Sequence, residues 1–216
     1  MESNWESHWE EEAKRDYWRE PDSAVIQLKN GLDRSVTRNV LDLGCGIGRH
    51  VFLFAEDGYK VTAVDSSPEA LAILRRQLSE KDFPVEIIEG SFSEDLFSER
   101  SFDLILAYNV LYHGSRQTFK EAVGLVYRWL KPGGLFFFTC PTRRDAKYGN
   151  GEKVAENTWK SLNSVHPGDI HYFADENDIA EFLAGFSSFS ENIDEHYWDD
   201  DGTEQFSSNR RILARR

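Results

Sequence analysis

The sequence predicts a single α/β domain, a mostly parallel sheet with helices on both faces. Three observations carry this expectation. A short apolar run, Val40-Leu41-Asp42-Leu43, ends in glycines at alternate positions, Gly44, Gly46 and Gly48, and a helical pattern follows. Apolar runs of strand length then alternate with amphipathic stretches along the chain, the rhythm of βαβ units. The length of 216 residues and the hydrophobic content of 40% suit one domain, 1–216, with a sizeable core.

The run at 39–43 reads as a strand buried on both faces. In the glycine turn, backbone can come close to a ligand because no Cβ stands in the way. The helix beginning near Gly48 directs its free N–H groups and positive dipole end toward that turn. The dinucleotide fingerprint G-x-G-x-x-G would need glycine at position 49, where the chain has Arg49. The pattern is instead D-x-G-x-G-x-G, beginning at Asp42. A carboxylate there accepts hydrogen bonds from an ammonium group and repels a pyrophosphate.

These residues resemble the first motif of the class I S-adenosylmethionine-dependent methyltransferases. The resemblance implies a Rossmann-like, seven-stranded, mostly parallel sheet with helices on both faces and an antiparallel last strand. It implies S-adenosyl-L-methionine as cofactor, with Asp42, Gly44, Cys45, Gly46 and Gly48 around its amino-acid part.

Composition narrows the partners. The formal net charge is −13 and the pI about 4.9, which disfavours a nucleic-acid substrate. No apolar run approaches the ~18 residues of a membrane span, and the start carries no signal-peptide pattern. The two cysteines, Cys45 and Cys140, suggest a reduced, cytoplasmic protein without a disulfide framework. The expectation is a monomer or homodimer acting on a small molecule.

Along the chain, Trp5, Trp9, Ala13 and Tyr17 recur at helical spacing. They read as part of an N-terminal helical cap over 1–35, either packed on the domain edge or closing over the cofactor through Tyr17 or Trp18. Pro21 suits the first turn of a second helix, with Val25, Leu28 and Leu32 as its stripe. Val51, Phe52 and Ala55 mark the buried side of the helix after Gly48, and Gly58 its end. The second strand, 59–65, ends in Asp65, where a carboxylate can accept from both ribose hydroxyls of an adenosine. Ser67, Pro68 and Glu69 supply a helix cap, so Asp65, with Ser66 beside it, is read as available to a ligand. Leu71, Leu74 and Leu78 face the core. The third strand, 84–90, leads to Ser91 and Phe92. The family commonly has an acid at the first of these, so Ser91 implies a weaker adenine contact, and Phe92 can cover a face of the base.

The fourth strand, 102–108, leads into Asn109-Val110-Leu111-Tyr112-His113-Gly114. Ligands bind outside the carboxyl ends of strands in open α/β sheets, so Asn109 and Leu111 are expected to close the cofactor pocket. Tyr112 and His113 are the candidate catalytic residues. His113 could take a proton from an acceptor hydroxyl, amine or thiol, or could instead cap the next helix. That helix carries Phe119, Val123, Val126 and Leu130 and stops at Lys131-Pro132-Gly133-Gly134. The fifth strand is 135–139.

Residues 141–173 break the rhythm and are too long for an ordinary loop. They look like the substrate-covering insertion of small-molecule methyltransferases of the tellurite-resistance type: Tyr148 to Gly151, Asn157-Thr158 and His171 to Phe173 carry that likeness. Arg143 and Arg144 could hold an anionic group or be ordinary loop charges. His166, His171 and His196 match no standard metal-ligand spacing, and no metal site is expected. Asp175 caps a helix through Ile179, Phe182 and Leu183, and a terminal hairpin pairs a strand from 189–193 with one at 210–216, turning at 199–202.

The sequence thus points to transfer of a methyl group from S-adenosylmethionine to a small-molecule acceptor. Alternatives are a methyltransferase acting on protein or RNA, a catalytically silent cofactor-binding module, and a nicotinamide oxidoreductase, which Asp42 and Arg49 argue against.

Overall fold

The computed structural model describes residues 19–162, 168–200 and 203–216. The helical pattern of Trp5, Trp9, Ala13 and Tyr17, the closing role of Tyr17 or Trp18, and His166 all lie outside the described residues.

The main sheet has seven strands in the order β3-β2-β1-β4-β5-β10-β9. β1 (Asn39–Leu43), β2 (Lys60–Asp65), β3 (Val85–Glu89), β4 (Phe102–Ala107) and β5 (Leu130–Pro141) run parallel. β10 (Thr203–Arg215) inserts between β5 and β9 (Ser188–Asp200), antiparallel to both. The expected antiparallel last strand is therefore present, and its hairpin with β9 is much longer than the stretches read from the sequence, with thirteen residues in each strand.

Strand alternation sorts the core into two layers. In β4, Ile105 and Ala107 join the layer under helix α4 (Arg116–Trp129) and helix α5 (Glu176–Phe182). Leu104 and Leu106 join the layer under α1 (Ser23–Asn30), α2 (Arg49–Ala55) and α3 (Pro68–Leu78). In β5, Phe136 and Phe138 face the first layer and Phe137 the second. β1 divides likewise: Leu41 and Leu43 in the first layer, Val40 in the second. Asp42 therefore points to the side of α1–α3.

Three boundaries differ from the sequence reading. Pro21 lies outside α1, whose N-cap is Asp22, its side chain accepting from the Ala24 N–H at 2.8 Å. The Lys131–Gly134 stretch is not a break: β5 begins at Leu130, directly after α4, and Arg216 closes onto Gly134. Residues 141–173 are not simply a polar loop. They hold an antiparallel sheet of β6 (Glu152–Ala155), β7 (Thr158–Lys160) and β8 (Ile170–Tyr172).

β8 is strapped to the loop after β4. The Tyr172 N–H donates to the Tyr112 carbonyl at 2.9 Å, and the Gly114 N–H donates to the Ile170 carbonyl at 3.1 Å. His113 and His171 stand opposite each other as an antiparallel bridge. The strap is fastened below by Asp178, which is 7% exposed. It accepts from the Tyr172 hydroxyl, the Asp175 N–H and the Arg116 guanidinium. Burial alone would raise its pKa, but these donors together hold it below the usual carboxylate value.

Replacing Asp178 by Ala removes the capping box of α5 and leaves a buried phenol and a guanidinium short of their acceptor. The expected loss is about 2–4 kcal/mol of unfolding free energy, read by urea denaturation, with Tyr172→Phe costing only about 1. A denaturation midpoint for Asp178→Ala equal to wild type would show that this network does not hold the strap.

Candidate active site

The strand order places the topological switch between β1 and β4, whose connections leave in opposite directions. The two loops at their carboxyl ends meet there. The turn after β1 is held to β2 by the Gly44 and Cys45 N–H groups, which donate to the Val64 carbonyl at 2.7 and 2.9 Å. Gly44 and Gly48 have φ of 73° and 94°. A Cβ on Gly44 would lie 2.2 Å from the Val110 side chain, and one on Gly48 would lie 2.4 Å from Leu74. Glycine is thus required at 44 by the β4 loop and at 48 by the packing of α2 on α3.

Asp42 stands at the base of this crevice, 2% exposed. Its Oδ2 has no hydrogen-bond partner among the described residues. Burial pushes its pKa up to about 7; Asp65 adds to the rise and Arg49 opposes it. A buried carboxylate without a donor is costly, and an ammonium supplies both charge and hydrogen bonds. The amino-acid end of S-adenosylmethionine fits this requirement. Cys45 is buried and its thiol is pushed up by burial and by the carboxylates of Asp65 and Asp42, so it packs rather than reacts.

Asp65 is not idle, in contrast to the sequence reading. Its Oδ2 accepts from the Gly46 N–H at 2.7 Å and its Oδ1 from the Ser67 N–H at 2.9 Å. Each carboxylate oxygen retains a further lone pair, so Asp65 shapes the turn and can still meet a ribose. The Ser67 hydroxyl caps α3 as the sequence indicates, accepting from the Ala70 N–H. Ser66 is exposed at the rim. Ser91 is half-buried, within 2.9 Å of the Ser93 hydroxyl, and Phe92 is partly buried against the core edge.

The β4 loop carries Asn109 at φ 59°, its N–H donating to the Thr139 hydroxyl while its side-chain oxygen accepts from that same group, both at 2.8 Å. Leu111 is fully buried and belongs to the core, so only its backbone can border a pocket. Tyr112 is 9% exposed and burial drives its hydroxyl pKa well above the ordinary phenol value, which favours the neutral phenol. His113 is half-buried and does not cap α4; the Ser115 side chain does. Tyr108 donates to Asp22 at 2.7 Å, and Arg211 also reaches Asp22, at 3.1 Å. The start of α1 is thereby tied to the end of β4, a link with no signal in the sequence.

The strap adds residues that spacing did not group with His113. Donor atoms of His113, Asp169 and His171 all lie within 4.8 Å of one another. Arg143 and Arg144 are engaged with Asp175 and Glu195, as ordinary surface charges are. His196 sits beside Asp194 on β9.

The raised pKa of Asp42 predicts a pH signature. Its stabilising contribution is fully present below about pH 4, where both folded and unfolded forms are protonated, and is lost as pH rises toward 7. The ligand-free protein should therefore lose up to about 4 kcal/mol across that window from this group, and Asp42→Asn should lack that component. Parallel unfolding profiles for the two proteins between pH 4 and 8 would contradict it.

A family of methyltransferase domains matches residues 40–134. A cypemycin N-terminal methyltransferase of Streptomyces sp. is 37% identical over 119 residues, 53% of this chain and 46% of that protein. A thiol S-methyltransferase of Rattus norvegicus is 33% identical over 151 residues, 67% of this chain and 59% of that protein. The chain thus spans about half the length of these curated relatives. Among solved structures, TehB from Haemophilus influenzae shares the fold at a TM-score of 0.68 and 19% identity, covering 91% of this chain and 62% of that one. With the D-x-G-x-G-x-G turn, the β1/β4 crevice and the antiparallel β10, these likenesses place the chain in the class I S-adenosylmethionine-dependent methyltransferase family.

Proposed function

We propose that this chain transfers the methyl group of S-adenosylmethionine to a small-molecule acceptor bound against the surface that the joined β4 loop and β6–β8 strap form together. The observation that carries the reading is the buried Asp42 carboxylate, with one oxygen lacking a donor among the described residues, beneath a turn whose Gly44 and Gly48 have no room for a side chain. When bound, the cofactor supplies a methyl group already activated on a sulfonium.

The residues then divide the work. Asp42 and the backbone of Gly44, Cys45, Gly46 and Gly48 hold the amino-acid part. Asp65, with Ser66 at the rim, takes the ribose, and Ser91 and Phe92 take the adenine. The Asn109 turn, fixed by Thr139, and the Leu111 backbone close the floor. Tyr112 packs beneath the acceptor side, and His113 borders it. The protein's main contribution is alignment, worth about 7–11 kcal/mol when the geometry is held well. A rigid strap hydrogen-bonded to the β4 loop suits that task. The relatives' names include a thiol methyltransferase, and a net charge of −13 fits a small acceptor better than a polyanion. No described helix is long and apolar enough to cross a membrane.

Calorimetric titration with S-adenosylhomocysteine tests the reading. Wild type should bind in the micromolar range, and Asp42→Ala should bind about 100-fold more weakly, as expected for loss of a charge-assisted contact. Asp65→Ala should lose about 10- to 100-fold. Absence of wild-type binding at millimolar ligand would sink the proposal, and a parallel NADH titration would then separate it from the oxidoreductase alternative.

A further inference from the structure

The acceptor side of the crevice carries a donor set that the methyltransferase reading does not require. His171 lies at the centre of β8, 6% exposed. Asp169 precedes it by two positions, so extended backbone sends both side chains to one face. His113 stands directly opposite His171 across the bridge, where cross-strand Cβ atoms lie about 4.5–5.5 Å apart. The two imidazole rings are 4.8 Å apart at 71°. The Oδ2 atom of Asp169 is buried and has no hydrogen-bond partner among the described residues. The backbone beneath is fixed by three hydrogen bonds: Gly114 to Ile170, Tyr172 to Tyr112, and Ser161 to the Asp169 carbonyl at 2.9 Å.

We infer that His113, Asp169 and His171 form a binding site for a divalent transition-metal ion. Two imidazoles and one carboxylate suit zinc, iron(II), cobalt(II) or nickel(II) and disfavour magnesium or calcium, which take oxygen ligands. Three protein ligands leave at least one coordination position for an exogenous group. Metal–ligand bonds of about 2.0–2.2 Å need donors roughly 3.4 Å apart. The three donors lie within 4.8 Å of one another, so binding an ion requires them to draw together by about 1 Å.

This inference rests on the proposed function only for its use. There, the open position takes the heteroatom of the acceptor. A thiol or hydroxyl bound in this way releases its proton to water, leaving a lone pair held in place for the methyl carbon. His113 then contributes a lone pair to the ion and does not serve as a base.

The test is direct. Metal-depleted protein is titrated with zinc(II) by calorimetry and with cobalt(II) by visible absorption, using wild type, Asp169→Asn and His171→Gln. S-adenosylhomocysteine binding is measured on all three as the check of fold and of the cofactor reading. Support would be one zinc ion per chain at micromolar affinity or tighter, a tetrahedral cobalt(II) spectrum, and at least a 100-fold weakening in both variants with cofactor binding kept. The inference is overturned if wild type takes up no metal, or if both variants bind it as tightly as wild type. Failure of S-adenosylhomocysteine binding in a protein that still takes up zinc would count against the methyltransferase reading alone.

Discussion

Burying a carboxylate in this fold demands a donor, and the way each acid meets that demand separates architecture from chemistry. Asp22 is tied to the Tyr108 hydroxyl, the Ala24 N–H and Arg211, and these outweigh the burial that would otherwise raise its pKa. Asp178 is met by a phenol, a backbone N–H and a guanidinium. Both end below the usual carboxylate value, and both join elements distant in sequence. Asp42 is more deeply buried than either and lies in the middle of the sheet, yet one of its oxygens has no described partner. A protein keeps such a group only where something from outside completes it, because an apolar residue there would be more stable.

The two loops at the β1/β4 switch make that position usable. Val110 fills the space that a side chain on residue 44 would take, and Leu74 does the same at residue 48. A side chain at residue 44 cannot be added without displacing the β4 loop, so the glycine turn and that loop are mechanically linked. Asp65 strengthens this by accepting from the Gly46 N–H. A residue expected only to meet ribose thereby also fixes the backbone of the glycine turn. Substitution of Asp65 should accordingly affect two contacts with one change.

How much of this was legible in the sequence follows from locality. The β1 strand, the glycine turn, the Ser67 cap of α3 and the first five strands are short-range patterns in hydrophobicity and capping, and they appear as read, some with shifted ends. Pairings that depend on distant residues left no such trace. Lys131–Gly134 looks like a helix stop because proline and glycine break helices, but β4 and the chain terminus draw it into β5. The hairpin of β9 and β10 was read short because its strands are rich in Ser, Asn, Asp and Glu. The strands pair along their full length regardless, since backbone bonds ignore side-chain polarity. The grouping of His113 with Asp169 and His171 depends on one antiparallel bridge between segments far apart in the chain, and no spacing rule could foresee it.

The same contrast explains why the acceptor is harder to read than the cofactor. The proposed cofactor side is built from backbone conformations that favour glycine and from carboxylates at strand ends, so its chemistry is written in residue type. The proposed acceptor side is fastened by backbone hydrogen bonds between β8 and the β4 loop, which constrain position but not identity. Side chains on that strap other than the buried Tyr172 can change without breaking these backbone bonds, and the fold can accept new substrates by this route. The residues that do face the crevice from the strap are therefore the informative ones. They include His171 and Asp169, set across one bridge from His113 on the β4 loop, so the chemistry of the proposed acceptor side is assembled by the contact between strap and loop and not by the sheet beneath.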